Sequence, residues 1–350
     1  MEYLVRKSNQ VRTAIDLFCG SGSVSAALSA VGYHVAAAVD VDPICEKTYR
    51  ANHPGTRFFR EDIRKLAPWR LKWALAGARL DVLIVCAPCQ PFSSQNRRRS
   101  PQDVRLDLVL QSIKFIRYLR PKTVLFENVR GIQGSEVMRL LLKELASLRY
   151  LYAAPELVDA ADFEVPQRRL RCLLVASQDK KVIRNVRDLH TQPNNRVTVF
   201  DALKGLEELS AGEASARDRL HRARLHSELN LERLRHIPKD GGSRVSLPTH
   251  LQLACHQNLE SDRKFPDVYG RLSWSEVAPT LTTGCTDITR GRFAHPEQDR
   301  AITLREAARL QSFPDRYKFI GNVQQIATQI GNAVPMKMME NILKRLSVDI

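Results

Sequence analysis

Short apolar runs alternate with amphipathic segments through the first half of this chain, and no other feature restricts its fold as tightly. "TAIDLF", "HVAAAVDVD", "TRFFREDI", "LDVLIVCAP" and "TVLFENV" read as five strands. "SVSAALSAVGY", "PICEKTYRANHP" (with Pro43 suited to a first helical turn), a stretch from about Leu106 to Leu119, and "SEVMRLLLKELASLRYL" read as helices. Strand and helix in alternation predict an α/β fold with a mostly parallel sheet, because a parallel neighbour is reached only by a crossover, usually a helix. "AAPELVDAADFEVPQRRLRCLLVAS" predicts two further strands joined by a polar turn.

Beyond about Lys181 the pattern weakens. The segment to Tyr269 is rich in Arg, His, Leu and Asn, and "IPKDGG" and "SLPTH" are loop chemistry. Within it "RDRLHRARLHSELNLERLRH" predicts one or two helices. Helical patterning returns in "TLREAARLQSFP" and "QQIATQIGNAVPMKMMENILKRLS", and a closing helix of this kind is expected to pack back onto the first half.

With 350 residues, 43% hydrophobic and 26% charged, the chain has the composition of a globular protein able to bury a full core. No apolar run approaches the ~18 residues of a membrane-spanning helix. The opening "MEYLVRKSNQVRTAIDLF" lacks a signal-peptide core, so a cytoplasmic protein with no membrane role is expected. The balance of 54 basic against 38 acidic residues, net +16, favours a polyanionic partner, since Lys and Arg displace the counterions condensed on phosphates. A merely solvated basic surface is the rival reading.

Seven scattered cysteines do not make a disulfide framework. Cys89 ends an apolar strand between two prolines, and its residue type alone allows a nucleophile, a metal ligand or a core thiol. Its spacing from Cys86 fits a redox dithiol or half a zinc site, but no second close Cys or His pair accompanies it, and no metal is expected.

"DLFCGSGS" follows a strand and opens a helix, where glycines let the backbone turn tightly and approach a ligand. Asp40 ends the second strand and Asp62 follows the third, placing both at the crevice outside the strand ends. An acid after strand two suits ribose hydroxyls and one after strand three an exocyclic amine. Together with the glycine turn they suit an adenosine ligand without a pyrophosphate; ordinary turn residues are the alternative. "FENVRG" sets Glu127 and Asn128 at the end of strand five, beside Cys89 if the sheet is parallel, where thiol and carboxyl make a nucleophile and acid pair. A capping or surface acid is the plainer reading of Glu127. In "VPQRRLRC" Arg169 and Arg171 alternate and are expected to share a strand face, toward an anion, a carbonyl or a structural ion-pair partner.

These pieces, with "APCQPFS", "RLSWSEVAPTLTT" and "QIGNAVP", stand in the order found in C5-cytosine DNA methyltransferases of the bacterial restriction–modification type. The chain resembles that family from Asp16 to Pro335. The resemblance implies a Rossmann-like S-adenosylmethionine-dependent methyltransferase domain with a mostly parallel sheet, in residues 1–183 and 325–350. A smaller irregular target-recognition domain and hinge would occupy 184–324. It implies Cys89 as the nucleophile on cytosine C6, Glu127 holding ring N3, Arg171 facing O2 and Arg169 supporting the base or a phosphate. S-adenosyl-L-methionine would contact Phe18, Gly20, Gly22, Asp40, Asp62, Pro88, Leu108 and Asn332. Double-stranded DNA would meet Gln90, Ser93 and the Arg97, Arg98 and Arg99 loop, with the target base flipped out of the duplex. A monomer, with a possible partner endonuclease acting on the same site, completes the expectation.

A tRNA cytosine methyltransferase shares these motifs, but the basic insert before "RLSWSEV" and the Pro-Cys-Gln-Pro wording favour DNA. A catalytically silent DNA-binding regulator would lack Cys89 or Glu127. A nicotinamide dehydrogenase explains neither "PCQ" nor "QRRLR".

Overall fold

The computed structural model describes residues 11–88, 107–187, 196–253 and 267–346. Cys89, Gln90, Ser93, Arg97, Arg98 and Arg99 lie outside the described residues. Through the first half the chain runs β1 (Arg12–Leu17), α1 (Ser23–Ala30), β2 (Tyr33–Asp40), α2 (Pro43–Asn52), β3 (Arg57–Arg60), α3 (Pro68–Ala74), β4 (Val82–Val85), α4 (Asp107–Leu119), β5 (Thr123–Val129) and α5 (Glu136–Ser147). β6 (Leu151–Tyr152), β7 (Glu156–Asp159) and β8 (Leu170–Ser177) complete the sheet. The strand order is β3-β2-β1-β4-β5-β8-β6, with β7 also paired to β8. β1 to β5 pair in parallel, whereas β8 runs antiparallel to β5, β6 and β7.

Strand alternation sorts the core into two layers. Ile15, Leu17, Leu83, Val85, Val124 and Phe126 pack toward α3, α4 and α5 through Leu71, Phe115 and Leu141. Ala14, Val82, Ile84, Leu125, Leu173 and Val175 face α1 and the closing helix α11 (Met336–Leu346). Met338, Met339, Ile342 and Leu343 meet Val24, Ala27 and Leu28 there, so the end of the chain does return to its beginning. Each such side chain contributes about 1.5–3 kcal/mol of burial, enough to hold the closing helix without a covalent tie.

α3 is an element the sequence pattern does not announce. It is seven residues long, begins at Pro68, and buries Leu71 while Trp69 and Trp73 stay exposed. Further on, α6 (Lys180–Arg187) and the five-residue α7 (Val199–Leu203) precede α8 (Glu228–His236), the one α-helix formed within "RDRLHRARLHSELNLERLRH". The earlier half of that stretch is irregular. Asp218 accepts from Leu220 N at 2.9 Å and pairs with Arg305, and Arg305 N bonds back to Leu220 O. Tertiary contacts outweigh local helix preference there. α9 (Leu304–Leu310) and α10 (Val323–Asn332) follow the expected patterning, each opened by a reciprocal capping box. Their apolar faces join Val199, Leu220, Leu281 and Phe293 in a further core that continues into α10.

Buried arginines brace the irregular part. Arg271, fully buried, donates to Ile237, His295, Gln298 and Leu234 carbonyls and pairs with Asp299. Arg300 pairs with Glu306 at 2.7 Å, both buried. Guanidinium forks give these loop and helix-end carbonyls side-chain donors. Among the described residues no helix is long and apolar enough to cross a membrane.

Candidate active site

Register brings the predicted residues to one edge of the sheet. Leu17 pairs with Val39 and with Val85, and Val85 with Phe126. One residue further along each strand therefore stand Phe18, Asp40, Cys86 and Glu127. This is the carboxyl edge of a parallel sheet, and the order reverses between β1 and β4, the place where such sheets leave a crevice for a ligand.

The turn after β1 is held from several sides. Phe18 lies in the left-handed region at φ 61°, and Gly20 and Gly22 at 51° and 95°. Asp40 accepts Gly20 N at 2.8 Å through Oδ2 and Asp42 N at 2.9 Å through Oδ1, so one half-buried carboxylate ties the first turn to the second. Desolvation raises its pKa against the pull of these donors. Tyr317 Oη donates to Ser21 O at 2.6 Å, and His53 Nε2 lies 3.0 Å from Gly22 O. A Cβ on Gly22 would come within 2.7 Å of His53 and 2.9 Å of Tyr49, so the second glycine is required by packing as well as by its φ.

Beneath this turn Asp16 is fully buried. Its Oδ2 accepts from Ser25 Oγ at 2.7 Å, which in turn accepts from Tyr49 Oη at 2.7 Å. Its Oδ1 has no hydrogen-bond partner among the described residues. Burial raises its pKa to about 7, with Ser25 opposing and Asp40 reinforcing. No role follows for Asp16 from the sequence alone, though an acid within the apolar run "TAIDLF" is the signal that sets it apart. Asp62 sits in the turn after β3 and is clasped by Arg64, whose Nε lies 3.0 Å from Oδ1. That contact lowers its pKa to about 2. Pro88 is exposed where β4 exits, and Leu108 on α4 packs against the core of that face.

Glu127 and Arg171 form a buried pair across β5 and β8, with Nε to Oε1 at 3.0 Å and the side chains 7% and 13% exposed. Burial raises the Glu127 pKa, opposed first by Arg171 and then by Arg169. Asn128, beside it, donates to Ala87 O at 3.2 Å and so fastens the β4 exit that leads to Cys89. Arg169, which also acts on Glu127 electrostatically, donates Nη1 to Leu281 O at 3.1 Å and Nη2 to Gly331 O at 3.0 Å. Asn332 is the exposed last residue of α10. Val334, two residues on, packs in the core layer that holds Val24 of α1, which brings this turn to the glycine-turn side of the sheet.

Among the described residues the donor set around the glycine turn is acidic and apolar, with the carboxylate of Asp40 and the ring of Phe18, the buried Asp16 beneath them, and no cluster of basic groups. It fits a cationic, phosphate-free nucleoside better than a dinucleotide. Among the described residues no group of three or more His, Cys, Asp or Glu is arranged to hold a metal ion.

The profile of the family described as C-5 cytosine-specific DNA methylase matches residues 12–348. The chain is 36% identical over 344 residues to the Type II methylase M.HgiDII of Herpetosiphon aurantiacus, covering 96% of this chain and 95% of that one. It is 30% identical over 333 residues to the Type II methyltransferase M.PspPI of a Psychrobacter strain, covering 93% and 76%. A crystal structure described as that of a proposed DNA modification methyltransferase from an E. coli prophage shares the fold. Its TM-score is 0.73 at 24% identity, covering 96% of this chain and 98% of that chain.

Proposed function

Because the chain belongs to the C-5 cytosine-specific DNA methylase family and is a DNA cytosine-5 methyltransferase, we propose a residue-by-residue course for its reaction. The observation that carries it is the buried Glu127–Arg171 pair, aligned by register with the glycine turn and with the exit of β4.

S-adenosyl-L-methionine, when bound, supplies an electrophilic methyl group. Asp40 would hold its ribose, Asp62 its adenine, and Phe18, Gly20, Gly22, Pro88, Leu108 and Asn332 the remaining surface. Cys89 adds to C6 of a cytosine flipped out of the duplex, forming the C6–S bond and leaving C5 electron-rich enough to take the methyl. Glu127 shares a proton with N3 as negative charge develops on the ring, and its burial shifts the balance toward the protonated carboxyl. Arg171 orients Glu127 and faces O2. Loss of the C5 proton then expels the Cys89 thiolate and restores the C5=C6 bond. Gln90, Ser93, Arg97, Arg98 and Arg99 follow the nucleophile in sequence and would contact DNA. The less regular residues 184–324 would choose the sequence, with the protein acting as a monomer beside an endonuclease for the same site.

The experiment is incubation of the purified protein with S-adenosylmethionine and plasmid DNA, followed by bisulfite sequencing. Protected cytosines in one sequence context are expected. A duplex carrying 5-fluorocytosine there should give a covalent adduct that survives denaturation, because fluorine cannot leave as a proton. Methylation without any trapped adduct would remove Cys89 from its role.

A further inference from the structure

The last turn of a helix leaves carbonyls without intrahelical partners. In α10 those carbonyls flank Asn332: Ile330 O takes the Ala333 N–H at 3.2 Å, and side chains from elsewhere in the chain supply the further donors. Gln311 Nε2 donates to Ile330 O at 2.8 Å and reaches Ala333 O at 3.4 Å, while Arg169 takes Gly331 O. Gln311 is itself fixed, since its Oε1 accepts from Gln167 Nε2 at 3.0 Å, which requires the Nε2 group to point at α10. Gln167 closes the arrangement by accepting Leu281 N at 2.9 Å. Both glutamines are fully buried and Arg169 is 4% exposed. At Gly331 a Cβ would lie 2.5 Å from the Thr282 backbone, so the helix end is also pressed against the segment that Arg169 and Gln167 grip.

We propose that Gln311 is a positioning residue for cofactor binding: it sets the turn that carries Asn332. This rests on the reading that Asn332 bounds the S-adenosylmethionine pocket. The physical reason is economy of contact. Carbonyls on both sides of Asn332 are tied, so its backbone is held in place and less backbone entropy is lost on binding. A glycine or Schellman ending would cap the same carbonyls but would link the turn to nothing outside the helix.

The test is a double-mutant cycle on the full chain with Gln311→Met, Asn332→Ala and the pair. The readouts are direct S-adenosylmethionine titration, duplex affinity without cofactor, and Tm. Gln311→Met should raise the S-adenosylmethionine Kd about tenfold and leave duplex affinity unchanged. The double variant should bind S-adenosylmethionine no more weakly than Asn332→Ala alone. Should Gln311→Met not fold, Gln311→Asn takes its place, since its shorter amide cannot span the same gap. Unchanged S-adenosylmethionine affinity, or fully additive losses, overturns the proposal and leaves Gln311 a structural residue. If Asn332→Ala alone binds S-adenosylmethionine normally, the pocket reading fails, whatever Gln311 variants do.

Discussion

Buried Asp16 takes up a proton on folding across a range of pH near neutrality. Unfolded, its carboxyl ionises near pH 4; folded, burial holds it to about 7. Below pH 4 both states are protonated and no cost arises. Between about 4 and 7 the folded state keeps a proton that the unfolded state has lost, so stability falls as pH rises, by up to about 1.4 kcal/mol per unit, and levels off above 7. Asp16→Asn keeps an acceptor for Ser25 and cannot ionise. Urea midpoints at pH 5, 6, 7 and 8 should therefore separate progressively in favour of the variant; a constant offset would show that Asp16 does not titrate in that window. The site chemistry gives two further expectations. Cys89→Ser should abolish turnover with S-adenosylmethionine binding nearly intact, as an alkoxide is not accessible near pH 7. Glu127→Gln should lower kcat by about 10²–10⁴-fold, the range for loss of a general acid, and cofactor titration should be unmoved. Residues of this kind were unevenly legible. Glu127 is readable only with its neighbours: alone it reads as a capping or surface acid, but the end of strand five stands beside the end of strand four that leads to Cys89. The partners of Arg169, by contrast, lie 112 and 162 positions away in sequence, and no local pattern encodes them.

The glycine turn between β1 and α1 is the element proposed to receive the cofactor, and its two glycines are not equivalent. Gly20, at φ 51°, would meet nothing within 4 Å if it carried a Cβ, so Gly20→Ala should cost about 1–2 kcal/mol for left-handed backbone alone. Gly22 adds a clash with His53 and Tyr49 at a φ of 95° that alanine seldom adopts, and Gly22→Ala should cost several kcal/mol more. Thermal unfolding of the two variants checks the order; equal losses would place the tight packing elsewhere. Parallel strands and long helices were legible because each repeats one period over several residues. α3 was not, since seven residues with two exposed tryptophans give no amphipathic stripe. The irregular stretch before α8 failed for the opposite reason. Its helical-looking composition is overruled by Asp218 and Arg305, partners 87 positions apart.

At the scale of the whole molecule, the count of 54 basic residues overstates what is available to DNA. Arg169, Arg233, Arg244, Arg271, Arg300 and Arg305 are all buried, and those with described partners hold carbonyls or carboxylates. The sequence counts these cations with the rest, because burial is a property of the fold. Two further groups of arginines are expected to differ in task. Arg97, Arg98 and Arg99 should contact phosphate, which positions DNA without reading it, so neutralising them should weaken all duplexes alike. The log–log salt dependence should flatten by about 0.9 per lost contact. Arg217 and Arg222 are exposed within the stretch assigned to sequence choice. Replacing one that reads a base edge should cost about 1–3 kcal/mol on the cognate duplex and relax preference at one position. Arg271→Ala, by comparison, should lower Tm and disturb cognate and scrambled duplexes together, since it removes a brace from the region's core. Salt titrations of both duplexes with each variant separate the three classes. Recognition has been placed in the wrong segment if the Arg97–Arg99 variants change sequence preference while the Arg217 and Arg222 variants leave it untouched.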